Sequence, residues 1–389
     1  MLLFNAIKYR IINWKDFLKR RLGPFYMFVL SHILPLKNKK IVFNNFAGRG
    51  YGDNPKYVAN EILSRNLGYD LVWIVRKGSS FVFPKGIRTV ELGSWREMYE
   101  LATAKCWIDN NRKANYIYKN KRQCYIQLWH GFYPFKKIEK DAENELDKGY
   151  VVMAKHDGRM TDLMVSGCKS RTDLYRKSFW YSGEIKEWGT PRNDLFFNGK
   201  NYKSLVYEYF GISSKVKTLL YAPTFRDDYS VDAYNIDFNR LLESLCGRFG
   251  GEWCIFVRLH PAVREKSGFL HYTDTIIDAS AYDDIQELFA ATDILITDYS
   301  NCMSEFSLQL KPVILYASDL EAYSKGRSFY YDIHDLPYPI AENNDDLNSI
   351  IANFDISLYR KELEAFLKDI GSFEKGTASK EVVDYILSL

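Results

Sequence analysis

DILITDYSNCMSEFSLQLKPVILYAS, residues 293–318, sets a branched apolar run, a polar turn, a helical stretch and a second apolar run in that order. DILITDYS and KPVILYAS have the length of buried strands, and CMSEFSLQL between them has the length of a short crossover helix. Strands joined in this way lie parallel, and burial on both faces calls for continuous apolar runs in place of alternation. The unit recurs. KTLLYAPTF and WCIFVRLHP flank FNRLLESLCGRF, and DTIIDAS is followed by IQELFAAT. Earlier, KIVFNNFA, NPKYVANEILSRN, YDLVWIVRKG and SWREMYELATAK alternate strand with helix before CWIDNN and CYIQLWH, two further strands. The expected fold is α/β: two doubly wound parallel sheets facing a cleft. NGKNYKS at 198–204 is the polar break between them. The first half is expected over 39–200 and the second over 201–375, with a helix in 376–389 packing back toward the first half and residues 1–38 standing apart.

The 389 residues suffice for two domains, each with its own core, and 47% hydrophobic with 26% charged residues is a globular balance. Cys106, Cys124, Cys168, Cys246, Cys254 and Cys302 are scattered without a CxxC, which reads as free thiols in a reducing compartment. His32, His130, His156, His260, His271 and His334 never cluster, so no metal site is expected, and no DxD pair offers one. The net charge of +4 conceals an asymmetry: Lys8, Arg10, Lys15, Lys19, Arg20, Arg21, Lys37, Lys39 and Lys40 stand against Asp16 alone in the first forty residues. PFYMFVLSHILPL at 24–36 follows most of that charge. It is shorter than the ~20 apolar residues of a bilayer span and lacks the order of a signal peptide. Basic residues beside exposed aromatics fit a monotopic anchor on an anionic membrane surface; a core-packing helix with a solvated basic face is the plainer alternative. Nucleic acid is not an expected partner, because no motif of that class accompanies the charge.

Polar residues gather at the carboxyl ends of the expected strands, where ligands of such sheets bind. YAPTFRDD supplies Thr224 and Arg226, VRLHP supplies Arg258 and His260, and ITDYSN supplies Asp298, Ser300 and Asn301 ahead of a helix. The first half adds Arg192 from GTPRND and His130 and Gly131 from QLWHGFYPFKK. Arginine forks match phosphate oxygens, and hydroxyl and amide donors at a helix start favour an anion. No GxxxxGK[ST] occurs, and GRGYG at 48–52 has the wrong spacing for a dinucleotide loop. Glu305, early in the helix, is a candidate acceptor for ribose hydroxyls or simply a first-turn acid. His130 and His260 have the side chain suited to proton transfer near neutral pH. Lys136 and Lys137 are candidates to hold an anionic acceptor or to line a solvated loop.

Taken together in order, QLWHGFYPFKKIEKD, GTPRND, LYAPTFRDD, VRLHP and ITDYSNCMSEFSLQLKPVILYASDLEAY resemble the CDP-glycerol glycerophosphotransferases of teichoic acid and capsule synthesis, over roughly residues 39–340. The resemblance implies a GT-B fold of two Rossmann-like halves with the donor in the second, no cofactor, and a peripheral enzyme at the cytoplasmic face of the membrane. It implies transfer of a polyol phosphate from CDP-glycerol to a hydroxyl of a lipid-linked glycan, with release of CMP. His130 would be the base, and His260, Arg226, Ser300 and Asn301 would surround the donor pyrophosphate. The family more often has a second serine where Asn301 stands and aspartate where Glu305 stands, so the polyol stays open between glycerol and ribitol. A nucleotide-sugar glycosyltransferase on the same fold and a non-enzymatic membrane adaptor are the other readings.

Overall fold

The computed structural model of the chain describes residues 21–226, 234–259, 270–326 and 329–389. Among them the strands form two wholly parallel sheets. The first has seven strands in the order β3-β2-β1-β4-β5-β6-β7. These are β1 (Lys37–Asn44), β2 (Asp70–Val75), β3 (Ile87–Glu91), β4 (Ala104–Asp109), β5 (Cys124–Gln127), β6 (Leu163–Val165) and β7 (Glu184–Lys186). The second has six in the order β10-β9-β8-β11-β12-β13: β8 (Lys217–Tyr221), β9 (Trp253–Val257), β10 (Ile276–Asp278), β11 (Ile294–Thr297), β12 (Val313–Tyr316) and β13 (Ile340–Ala341). The opening stretch forms the β11–β12 unit, with Leu295 beside Val313 and Thr297 beside Leu315 in register.

The central strand β1 shows why the first sheet is buried on both faces. Ile41 and Phe43 point to the side covered by Val58, Ala59 and Ile62 of the helix Asp53–Ser64. Val42 points to the other side, against Met98, Leu101 and Ala102 of the helix Trp95–Thr103. Side chains alternate along a strand, so a run apolar at every position needs a cover on each face. The helix Ala378–Leu387 brings Val382, Val383 and Ile386 into the same cluster as Ile41 and Phe43, so the end of the chain packs on the first sheet. Its first backbone amides, Ala378 N and Ser379 N, donate to the carboxylate of Asp194 at 2.9 and 2.7 Å.

In each sheet the strand order reverses once, between β1 and β4 in the first and between β8 and β11 in the second. Crossovers leave opposite faces at such a point, which opens a crevice beyond the carboxyl ends of the strands. Beyond those ends the loop after β5 approaches the residues after β11, with Gly131 beside Asn301, and the candidate site lies there.

The apolar stretch near the start of the chain corrects one expectation. Residues 21–33 form a helix that is part of the first half and not a separable segment. Met27 is fully buried among Val42, Val72, Ile74 and Met98. Ser31 is buried too, and its carbonyl accepts from Asn120 Nδ2 and Arg122 Nη2, both at 3.1 Å. Gly23, Met27 and Ser31 repeat every four residues and so make one stripe on the sheet side. The opposite stripe carries Leu22, Phe25, Phe28 and Ile33, with Phe25 69% and Ile33 73% exposed. The inner stripe is that of a core-packing helix, and the outer stripe leaves apolar side chains exposed. Met27→Ala is expected to lower the unfolding free energy by about 2–5 kcal/mol, and Phe25→Ala by no more than ~0.5 kcal/mol; urea titrations of the two variants compare them directly.

Candidate active site

Strand β5 ends at Gln127, and the chain then turns through Trp129, whose φ of 52° lies in the left-handed region. Two side chains hold that turn. Gln127 Oε1 accepts from Trp129 N at 2.9 Å, and Asn54 Nδ2 donates to Trp129 O at 2.9 Å. Asn54 is fully buried, and its Oδ1 also accepts from Arg192 N at 3.0 Å, so one amide joins the WHG and GTPRND loops. Beneath Trp129, Arg112 sits 5.2 Å from the indole ring. Its guanidinium donates to Glu139 at 2.7 Å and Asp157 at 3.1 Å. This buried network fixes the surface on which His130 rests.

The imidazole of His130 stacks on Trp129, with ring centroids 4.4 Å apart, and meets Phe46 at 4.9 Å. Its Nδ1 lies 2.6 Å from Asn110 O. A carbonyl only accepts, so Nδ1 carries the proton and Nε2 presents its lone pair. Burial pushes the pKa of His130 down to about 4, and the positive charges of Arg192 and Arg171 add to the effect, against the hydrogen bond to Asn110. The ring is therefore neutral at pH 7, with a base at Nε2.

From the second sheet, Asp298 follows β11 and gathers the neighbouring loop. Its Oδ1 accepts from Thr224 N at 2.8 Å and Tyr299 N at 2.7 Å, and its Oδ2 accepts from Arg226 Nη1 at 2.8 Å. Arg226 also forks onto Asp319, with Nε and Nη2 at 2.6 and 3.0 Å. Its guanidinium lies about equally far from the rings of Tyr299 and Tyr323, which stack at 3.8 Å. Two carboxylates raise the pKa of Arg226 against the cost of burial, and they occupy the edges expected to meet phosphate. In this state Arg226 and Asp298 organise the loop that carries Thr224. Thr224 Oγ1 is buried without a hydrogen-bond partner among the described residues. Arg258 donates from Nη1 to the carbonyls of Ala279 and Tyr282 at 3.1 and 2.5 Å, and desolvation lowers its pKa. Neither partner is charged, so among the donor-side arginines Arg258 keeps its charge for a ligand.

Arg192 and Glu305 take a place that the sequence did not suggest. One end of the Arg192 guanidinium meets Asp53 and the other meets Glu305. Glu305 is 2% exposed, and its second oxygen accepts from Gln286 Nε2 at 2.8 Å. Gln286 Nε2 also reaches Asn193 Oδ1 at 2.9 Å. The carboxylate expected to receive ribose hydroxyls is thus engaged by an arginine and an amide, and the arginine expected on the donor links the two halves. Lys56 adds a second link, to Asp284 at 2.6 Å and Glu287 at 3.3 Å.

The helix after Asn301 is short, Cys302–Phe306, and passes into a 3₁₀ turn. Its dipole is correspondingly small, so side chains rather than a helix start carry any anion binding here. Ser300 Oγ accepts from Cys302 N at 3.3 Å. Lys136 Nζ donates to Tyr323 OH at 2.8 Å, which places it across the cleft against the second half, while Lys137 is exposed. His260 lies outside the described residues. A cavity of about 540 Å³ opens beside the site, lined by Phe46, Asp53, Lys56 and Arg192 from the first half and by Asp284 and Gln286 from the second. Asp53, Asn54, Arg112, Arg171 and Gln286 were not singled out from the sequence. A glycine-rich loop running into GDNPKY was the available signal for the first two; the others sit in ordinary helical or loop contexts.

Two doubly wound sheets with a polar cleft between their switch points define the GT-B class of transferase fold. Within it, the chain belongs to the CDP-Glycerol:Poly(glycerophosphate) glycerophosphotransferase family, which it matches over residues 26–388. The teichoic acid glycerol-phosphate transferase of Staphylococcus aureus is 32% identical over 375 residues, covering 92% of this chain and 95% of that protein. The teichoic acid poly(glycerol phosphate) polymerase of Staphylococcus epidermidis is 31% identical over 366 residues and 90% of this chain; the chain spans about half of that longer protein, 51%. The solved structure of the wall teichoic acid polymerase TagF matches with a TM-score of 0.82 at 28% identity, covering 99% of this chain and 98% of that one.

Removing Arg192 would leave Asp53 and Glu305 charged and buried without their cation. Arg192→Met is expected to cost about 3–5 kcal/mol of unfolding free energy. Glu305→Gln keeps the Arg192–Asp53 pair and should cost clearly less; chemical denaturation of both variants measures the difference.

Proposed function

We propose that the protein transfers glycerol phosphate from CDP-glycerol to a hydroxyl of a lipid-linked cell-wall or capsular glycan, releasing CMP. The observation that carries this reading is His130: its Nδ1–H is spent on the Asn110 carbonyl, which leaves a neutral Nε2 in the cleft between the switch points. The acceptor oxygen attacks the β-phosphorus of the donor and a new O–P bond forms. The bond from that phosphorus to the bridging oxygen breaks, and its electron pair leaves on CMP. The acceptor proton passes to Nε2. Such displacements depend mainly on alignment and on neutralising charge on the phosphoryl oxygens. Arg258, Ser300 and Asn301 are the donors on the second sheet for that task, with His260 assigned to it by resemblance. Arg226 and Asp298 act through the loop they hold, and Arg192 with Glu305 keeps the halves in register. Gly131, Lys136 and Lys137 belong to the acceptor side.

His130→Ala is expected to lower kcat by ~10²–10⁴-fold while leaving CDP-glycerol affinity nearly unchanged. Retention of near wild-type turnover would assign His130 to structure alone. A base must be unprotonated to act, so kcat/KM should fall as pH drops through about 4, the pKa of the free protein. Negative phosphates favour the imidazolium, which moves the acid limb of kcat to higher pH once donor is bound. The same assay with CDP-ribitol and with UDP-sugars tests the other donors.

Attachment to the cytoplasmic face of the membrane is part of the proposal. Its support is the exposed stripe Leu22, Phe25, Phe28 and Ile33, continuous with the basic residues that precede it in sequence. Among the described residues no helix is long and apolar enough to cross a membrane. Phe25→Ser/Phe28→Ser/Ile33→Ser should reduce sedimentation with phosphatidylglycerol vesicles at least severalfold, with the melting temperature kept; unchanged sedimentation would remove the stripe from membrane contact.

A further inference from the structure

Arg171 has no role in the reaction as proposed above, yet it is among the least ordinary residues in the molecule. It lies in the helix Lys169–Ser178 and is 1% exposed. Its Nε donates to Phe132 O at 3.2 Å, and its guanidinium stands 5.8 Å from the ring of Tyr175, one turn along. Nη2 is buried without a hydrogen-bond partner among the described residues. No carboxylate among them pairs with Arg171, in contrast to Arg112, Arg192 and Arg226, which each hold two. A buried, uncompensated guanidinium is costly, so a fold that keeps one has a use for its charge.

Gly131 shows where that charge is directed. A Cβ built at Gly131 would stand 2.9 Å from Arg171 Nη2 and 3.1 Å from Asn301 Nδ2. The orphan donor of the first half and an amide donor of the second therefore both pack against the backbone of residue 131, an approach this close only because that residue has no side chain. That backbone adjoins His130, and the charge of Arg171 is among those felt by the imidazole.

We propose that Arg171 and Asn301 form a two-donor cradle over Gly131 that binds a non-bridging oxygen of the phosphoryl group being transferred. This deepens, and rests on, the reading of the protein as a CDP-glycerol transferase. A phosphoryl oxygen supplies both the acceptor that Nη2 lacks and the negative charge that the guanidinium lacks, and Arg matches it better than Lys. Because His130 receives the proton of the attacking hydroxyl, the phosphorus under attack must lie within a few ångströms of it, which is where the cradle sits. The α-phosphate and the cytidine lie farther off, toward the donors of the second sheet.

The position of the cradle predicts selectivity between two ligands that differ by the transferred group. In calorimetric titrations, Arg171→Gln should weaken binding of CDP-glycerol by about 10- to 100-fold and leave binding of CMP within about twofold. Arg171→Lys should recover part of the loss. Gly131→Ala, which keeps Arg171 but sets a methyl group against Nη2 and Asn301 Nδ2 and so pushes the two donors apart, should reproduce the selective loss and covers the case in which Arg171→Gln does not fold. Equal loss for both ligands, or no loss for either in Gly131→Ala, overturns the cradle while the transferase reading stands. A wild-type protein that binds CMP but neither binds nor turns over CDP-glycerol overturns the transferase reading, and the cradle with it.

Discussion

The salt link of Arg192 to Asp53 on one side and Glu305 on the other is the contact on which the cleft depends. Asp53 opens the helix that covers the first sheet, and Glu305 lies in the short helix that leaves β11 of the second. Each half alone would be a doubly wound sheet with a switch-point crevice and half a set of functional groups. With the link made, the loop after β5 faces the loop after β11, and Asn301 stands beside Gly131, the neighbour of His130. Burial makes this a tie of definite geometry: a charge removed from water tolerates few alternatives to a well-aligned partner. Gln286, bonded to both Glu305 and Asn193, extends the tie with an uncharged group that screening does not weaken.

The same economy explains the second sheet. Asp298 is acceptor to two backbone amides and to Arg226, and Arg226 reaches on to Asp319. Residues of this kind look like ligand-binding groups in a sequence, because they are charged and sit at strand ends. In the fold they satisfy one another and shape the loop. Five buried side-chain atoms among the described residues have no partner, and two of them, Thr224 Oγ1 and Arg171 Nη2, belong to side chains that lack the carboxylate and amide links just described.

Much of this was legible in the sequence because long apolar runs and helical stretches follow one another with few exceptions. Strands such as WCIFV and VILY, buried at every position, are announced by their composition. The edge strands IRTVE and EIK were not, since an edge needs few apolar residues and three or five positions give no period to read. The WHG turn and its histidine were visible because glycine and histidine at a strand end are conspicuous. The roles of Arg192 and Glu305 were not, because partners 113 residues apart in sequence leave no local trace. Arg171 was hidden for a related reason. In KSRTDLYRKS it is one basic residue among several, and only burial distinguishes it from its neighbours.

The two-faced helix at 21–33 has a mechanical consequence. Its inner stripe is core and its outer stripe is open, so nothing pliable intervenes between the surface it offers and the sheet behind it. Whatever that outer stripe rests on, the body above it stands at one height and one tilt, like an instrument bolted to a bench. A molecule served by the cleft must come to a fixed point in space. The reach of the protein is then set by the length and suppleness of what is brought to it.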